Sequence, residues 1–161
     1  MEQKTVEVVM GISGSGKSTI GAALAKSLAI PFLDADDFHP RENVMKMSRG
    51  LPLDDDDRWP WLASIVEYIR NHHRNHFVLA CSALKASYRE FLNQSIQCRF
   101  HHLDISEKDA IDRMNERQGH FMKSDMVKSQ LATLEVTEDL NLVAAKLSQE
   151  QIIDHINQNL K

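Results

Sequence analysis

The sequence predicts an α/β protein: a parallel sheet covered on both faces by helices. Three observations carry that reading. β-rich segments alternate with segments of helical periodicity along the chain. The third β-rich segment, residues 77–81, is nearly all apolar, as a strand buried on both faces must be. A glycine-rich loop joins the first β-rich segment to the first helical one.

The elements follow in order. Residues 5–10 (Thr-Val-Glu-Val-Val-Met) are the first strand, running straight into the loop. Residues 17–29 repeat apolar side chains at helical spacing (Ile20, Ala23, Leu24, Leu28), and Pro31 ends that helix. Phe32-Leu33 starts a second strand. The polar stretch 34–58 holds a short helix at 42–47. Pro60 is expected at the first position of a helix that buries Trp61, Leu62, Ile65, Val66 and Ile69. Strand 77–81, helix 86–92, strand 99–103 and helix 107–118 follow. Residues 119–137 are read as a mobile, helix-like lid, residues 140–145 as a fifth strand, and Ile152, Ile153, Ile156 and Leu160 as the apolar face of a last helix. No repeat or linker interrupts the 161 residues, so a single domain over 1–161 is expected.

Composition excludes several classes. Nineteen Lys and Arg against twenty-three Asp and Glu leave a net charge of −4, which disfavours nucleic acid as a partner. No apolar run reaches the length of a membrane span, and the first residues lack a signal-peptide layout. The two cysteines, Cys81 and Cys98, have no metal-ligand spacing and read as free thiols of a reducing cytoplasm. The eight histidines form no metal-ligand pattern.

The chemistry begins at Gly11-Ile12-Ser13-Gly14-Ser15-Gly16-Lys17-Ser18, followed by Thr19. Gly11, Gly16, Lys17 and Ser18 satisfy the phosphate-loop pattern in the strand-to-helix context it requires. Glycines let backbone N–H groups approach phosphate, and the new helix adds its positive end. Lys17 is suited to the β- and γ-phosphates of ATP, and the Ser18 hydroxyl to Mg²⁺.

Other residues bear on an acceptor. Asp34, Asp36 and Asp37 end the second strand, where ligands of open α/β sheets bind, and a carboxylate there can take the proton of an attacking hydroxyl. The run 54–57 is four aspartates, of which Asp54 and Asp55 read as solvated charge beside the following helix. Arg58 can grip a carboxylate through two parallel hydrogen bonds. Lys85 and Arg89, with Tyr88, open from the end of the third strand and can hold an anion. No strong carboxylate ends that strand, since Cys81-Ser82 stands there. Arg113 and Arg117 share a helix face before Gly119, as arginines of a closing lid would. Of Trp59 and Trp61, one is expected in the core and one against the pocket.

Together these motifs resemble the gluconate kinase family. The resemblance rests on residues 11–19, Phe32-Leu33-Asp34-Ala35-Asp36, His39-Pro40, Asn43, Lys46-Met47, Gly50, Pro52-Leu53, Asp55-Asp56-Asp57-Arg58 and Pro60-Trp61-Leu62. Cys81-Ser82-Ala83-Leu84-Lys85, Tyr88-Arg89 and Arg117-x-Gly119-His120-Phe121 extend it, over about residues 6 to 135. It implies a nucleoside-monophosphate-kinase-like fold with strand order 2-3-1-4-5 and transfer of the ATP γ-phosphoryl to the 6-hydroxyl of D-gluconate. It also implies a homodimer. In that light Lys17, Asp36 and Arg117 are the catalytic candidates. Residues 11–19 and Arg113 bind the nucleotide, and Ser18 the metal. Asp36, His39, Lys46, Arg58, Lys85, Arg89 and His120 face the sugar acid. Ala35 stands where the family has glycine, and Glu135-Val136-Thr137 departs from the family's ending. Two alternatives stand beside this reading: a kinase for shikimate or another anionic polyol, and a nucleotide-binding switch without catalysis.

Overall fold

In the computed structural model, which describes residues 3–118 and 123–160, β1 (Thr5–Met10) is the middle of a five-stranded parallel sheet. Its neighbours are β3 (His76–Ala80) and β4 (Gln97–Asp104), flanked by β2 (Phe32–Asp34) and β5 (Asn141–Ala144), in the order β2-β3-β1-β4-β5. Parallel pairing requires a crossover after every strand, and the helices supply it. They are α1 (Lys17–Leu28), α2 (Arg41–Ser48), α3 (Asp55–Asn71), α4 (Ala86–Asn93), α5 (Glu107–Gln118), α6 (Lys123–Thr133) and α7 (Gln149–Asn159).

Alternation along β1 sends its side chains to both layers. Val6, Val8 and Met10 pack with Phe77, Leu79 and Phe100 against Trp61, Leu62, Ile65 and Ile69 of α3. On the other face Val9 meets Val78, Leu103 and Val143 under Ile20 and Leu24 of α1 and Ile152 and Ile156 of α7. A smaller cluster of Ile12, Leu84, Ala110, Met114 and Val127 lies beneath the loop after β1. Each large aliphatic side chain buried this way contributes about 1.5–3 kcal/mol.

The strand order agrees with the expectation, and most element ends fall within two residues of it. The exception is α3. It starts at Asp55, not at Pro60, because Asp54 is a better N-cap. The Asp54 carboxylate accepts from the Asp57 N–H at 2.8 Å, and the Asp57 carboxylate accepts from the Asp54 N–H at 3.0 Å. The acids that looked like a loop before the helix are its capping box and first turn. Pro60 therefore lies inside α3. Of the stretch expected to form a lid, residues 119–122 lie outside the described residues, and α6 occupies the rest up to Thr133. Among the described residues no helix is long and apolar enough to cross a membrane.

Candidate active site

The carboxyl ends of β1, β2 and β3 open into one crevice, where the sheet's topology places a ligand. On its donor side the chain leaves β1 through a tight turn closed by the Ser15 N–H on the Ile12 carbonyl, 3.2 Å. Gly14 has φ 86°, and a Cβ there would stand 2.7 Å from the Ala110 carbonyl oxygen, so only glycine fits. Gly16 begins α1 with φ 91° and no capping side chain, which leaves the first N–H groups of α1 for an anion. The Ser15 hydroxyl oxygen is buried in this loop without a hydrogen-bond partner among the described residues.

Arg113 of α5 binds the back of the loop. Its Nη1 donates to the carbonyls of Gly14 and Ser15, both at 3.3 Å, and its Nη2 to the Ala145 carbonyl at 2.9 Å. Beside it lies a cavity of about 260 Å³ lined by Gly16, Thr19, Arg113, Ala145, Leu147 and Gln149. The Ser18 hydroxyl donates to Asp34 Oδ2 at 2.9 Å. Asp34, the last residue of β2, also accepts the Asp36 N–H at 3.0 Å and so starts the short 3-10 turn Ala35–Phe38. That turn leaves Asp36 exposed.

On the acceptor side two ion clusters line the crevice. Asp55 accepts from Lys85 Nζ at 3.0 Å through both oxygens and from the Tyr88 hydroxyl at 2.5 Å. Arg58 Nη1 donates to the Tyr88 oxygen at 3.1 Å and stands 3.7 Å from Asp55. The Tyr88 hydroxyl and Lys85 hold the Asp55 carboxyl below the usual carboxylate range, and Asp55 in turn raises Lys85. Leu53, Asp54, Asp55, Asp56, Arg58 and Lys85 line an open cavity of about 480 Å³. In the second cluster Lys46 donates to Asp57 at 2.6 Å, and the buried Asn43 amide donates to the Asp57 carbonyl at 2.9 Å. This fastens α2 to α3.

His39 stacks on Trp61 with ring centroids 4.4 Å apart, and the Asn43 amide donates to its Nδ1 at 3.2 Å. Burial lowers the His39 pKa, which favours the neutral ring. Both tryptophans serve the site. Trp61 is buried, its indole N–H donating to the Ala35 carbonyl at 2.7 Å, and Trp59 meets the Tyr88 ring edge-on. A larger groove of about 520 Å³ is lined by Val66, Glu67 and Arg70 of α3 and by Phe91 and Gln94 at the end of α4.

Arg89 differs from expectation. It is 2% exposed, and its guanidinium donates to the carbonyls of Ala83, Leu84 and Glu135 and to the Thr137 hydroxyl. It ties the chain together and does not face the crevice; the anion-facing cations of this segment are Lys85 and Arg58. Cys81 is buried, and desolvation pushes its thiol up to about 12, so it supplies no carboxylate-like ligand at the end of β3. The Arg117 side chain and His120 lie outside the described residues.

Several site residues escaped the sequence. Asp34, not Asp36, touches Ser18. Asp55, exposed in the first helical turn as expected, is also the hub of the cation cluster. Gln130 contacts Ser13, which lies 117 residues away. Asp34 carried a signal as the residue that ends its strand and Asp55 as part of the Asp55–Arg58 motif, whereas Gln130 carried none.

A phosphate loop on the central strand of a 2-3-1-4-5 parallel sheet, together with a charged pocket of Asp54, Asp55, Asp56, Arg58 and Lys85, defines a P-loop kinase of the nucleoside-monophosphate-kinase-like class. The shikimate kinase family model matches residues 13–161. The chain belongs to the gluconokinase family within that class, and such kinases use ATP. It is 47% identical over 135 residues to the gluconokinase of Gluconobacter oxydans, covering 82% of this chain and 76% of that one. It is 44% identical over 144 residues to a probable gluconokinase of Dictyostelium discoideum, covering 84% and 72%. The crystal structure of a gluconokinase from Sinorhizobium meliloti superposes with a TM-score of 0.85 at 41% identity, covering 99% of this chain and 97% of that one.

Proposed function

We propose that this chain transfers the γ-phosphoryl group of ATP to the 6-hydroxyl of D-gluconate, giving 6-phospho-D-gluconate and ADP. The observation that carries the reading is the Arg58–Tyr88–Lys85 cluster at the acceptor cavity. Tyr88 and Asp55 position Arg58 but use only part of its donor fork, which leaves N–H groups for a substrate carboxylate. His39, Lys46 and the backbone around them are then on hand for the polyol hydroxyls.

On the donor side, the first turn of α1 and Lys17 receive the phosphates, and the cavity beside Arg113, Ala145 and Leu147 receives the adenine. Ser18 and Asp34 offer hard oxygen donors 2.9 Å apart, the chemistry that suits Mg²⁺. When bound, the ion neutralises charge on the β- and γ-phosphates. Asp36 orients the attacking hydroxyl and accepts its proton. Lys17 and Arg117 stabilise the charge on the transferring group. We place the enzyme in the cytoplasm as a homodimer, and sedimentation velocity measures that state directly.

A coupled ADP-release assay over gluconate, shikimate and other sugar acids tests the substrate. Release that depends on gluconate is expected, and release that depends on shikimate alone would replace this reading with the one the broader family model allows.

A further inference from the structure

The stretch from α6 to Thr137 touches both halves of the crevice. At its donor end, Gln130 Oε1 accepts from the Ser13 backbone N–H at 2.6 Å and Gln130 Nε2 donates to Ser13 Oγ at 3.0 Å. Ser13 is a corner of the Ile12–Ser15 turn, and the outward N–H of such a corner has no partner within the turn itself. Val127, fully buried on α6, packs in the same cluster as Ile12. The phosphate loop is thus held from α6 by an amide pair and from α5 by Arg113.

At its acceptor end, Glu135 holds the segment that carries Lys85 and Tyr88. Its N–H donates to the Leu84 carbonyl at 2.8 Å, its carboxylate accepts from the Ala86 N–H at 2.8 Å, and its carbonyl accepts from Arg89 Nη2 at 2.7 Å. The N-cap residue of α4, Lys85, makes no side-chain cap, so Glu135 caps that helix at Ala86 from 49 residues away. A carboxylate at a helix N-terminus is also favoured by the helix dipole.

We propose that α6 with Glu135 is a positioning strut, in which Gln130 sets the phosphate loop for the nucleotide and Glu135 sets the Lys85–Tyr88 segment for the sugar acid. Only the acceptor end rests on the gluconate reading. Neither residue touches the reacting groups; each acts through the backbone it holds.

The two ends are separable by experiment. Gln130→Met keeps length and packing but removes both bonds to Ser13. Its Kd for ATP with Mg²⁺, measured by calorimetry without acceptor, is expected to rise about tenfold, with the gluconate KM within about twofold of wild type. Glu135→Ala is expected to show the reverse, about tenfold in gluconate KM and little in ATP Kd, and Glu135→Gln, which keeps a capping acceptor, to recover most of the loss. A merely structural role would lower Tm and the active fraction while leaving both constants alone, and that result overturns the strut. Equal changes in both constants for both variants overturn it as well. If the wild type releases no ADP with gluconate, the acceptor end falls with the substrate reading. An unchanged ATP Kd in Gln130→Met sinks the strut whatever the substrate.

Discussion

Two carboxylates, one inside the sheet and one at the crevice, show how burial divides structure from function. Glu7 lies in mid-β1 and is fully buried. Arg99 donates to both its oxygens at 2.6–3.1 Å, His101 Nε2 stands 3.0 Å away and His76 Nε2 2.7 Å away. Asn141 continues the network to His101 Nδ1. Asp55, at the crevice, gathers Lys85, Tyr88 and Arg58 in much the same way, but its side chain is 42% exposed. Burial alone would push Glu7 up, yet the hydrogen bonds from His101, Arg99 and His76 hold it down at about 2. The Glu7 carboxylate is fully buried and saturated, although Arg99 and His76 reach the surface around it, so its energy goes into the fold. The Asp55 cluster is wet and its cations keep spare donors, so it contributes little to stability and can meet a ligand.

Substitutions can break or sharpen that contrast. The largest effect is expected at the functional edge. Lys17→Ala should lower turnover by about three orders of magnitude or more while leaving Tm close to wild type. Near-normal turnover in a kinase assay would remove Lys17 from the phosphate site. Glu7→Gln comes next, as the mirror case: a stability loss of roughly 3 kcal/mol in urea unfolding, with the KM values of the folded enzyme unchanged.

The sign of its pH dependence follows from the folded pKa, about 2, lying below the ordinary 4.5. The Glu7 contribution is fully present above the ordinary value and is lost as pH falls through the folded one. Wild type should therefore lose stability between about pH 4.5 and 2, and Glu7→Gln should flatten that part of the profile. A third variant, Arg58→Lys, keeps the charge but not the fork. It should raise the sugar-acid KM by ten- to a hundredfold, about 1.5–3 kcal/mol, with Tm unchanged. The smallest effect is Asp54→Ala, which removes the N-cap of α3 and should cost about 1 kcal/mol of stability in the same urea experiment.

How much of this was readable in the residues depends on distance along the chain. The β1–loop–α1 unit was, because the glycines, Lys17 and Ser18 are contiguous and their spacing is dictated by phosphate. So was the sheet, because strand and helix periods alternate cleanly. Pro60 misled because its own preference for a first turn is weaker than the Asp54–Asp57 box, a pairing that needs three residues of geometry to see. Lys85 and Arg89 share a helix face by spacing, but only tertiary packing decides that Arg89 turns inward onto Glu135 and Ala83. The division between Asp34 and Asp36 hangs on the 3-10 turn that reverses the chain between them. The role of Glu7 left no signal in the sequence, since Arg99 and His101 stand more than ninety residues away.

The most direct test of the whole account is the product itself. Phosphorus NMR of wild-type protein incubated with ATP, Mg²⁺ and D-gluconate should show a phosphomonoester at the 6-position growing in step with ADP. ADP formed with inorganic phosphate alone, or a phosphoester on shikimate with gluconate untouched, would contradict it.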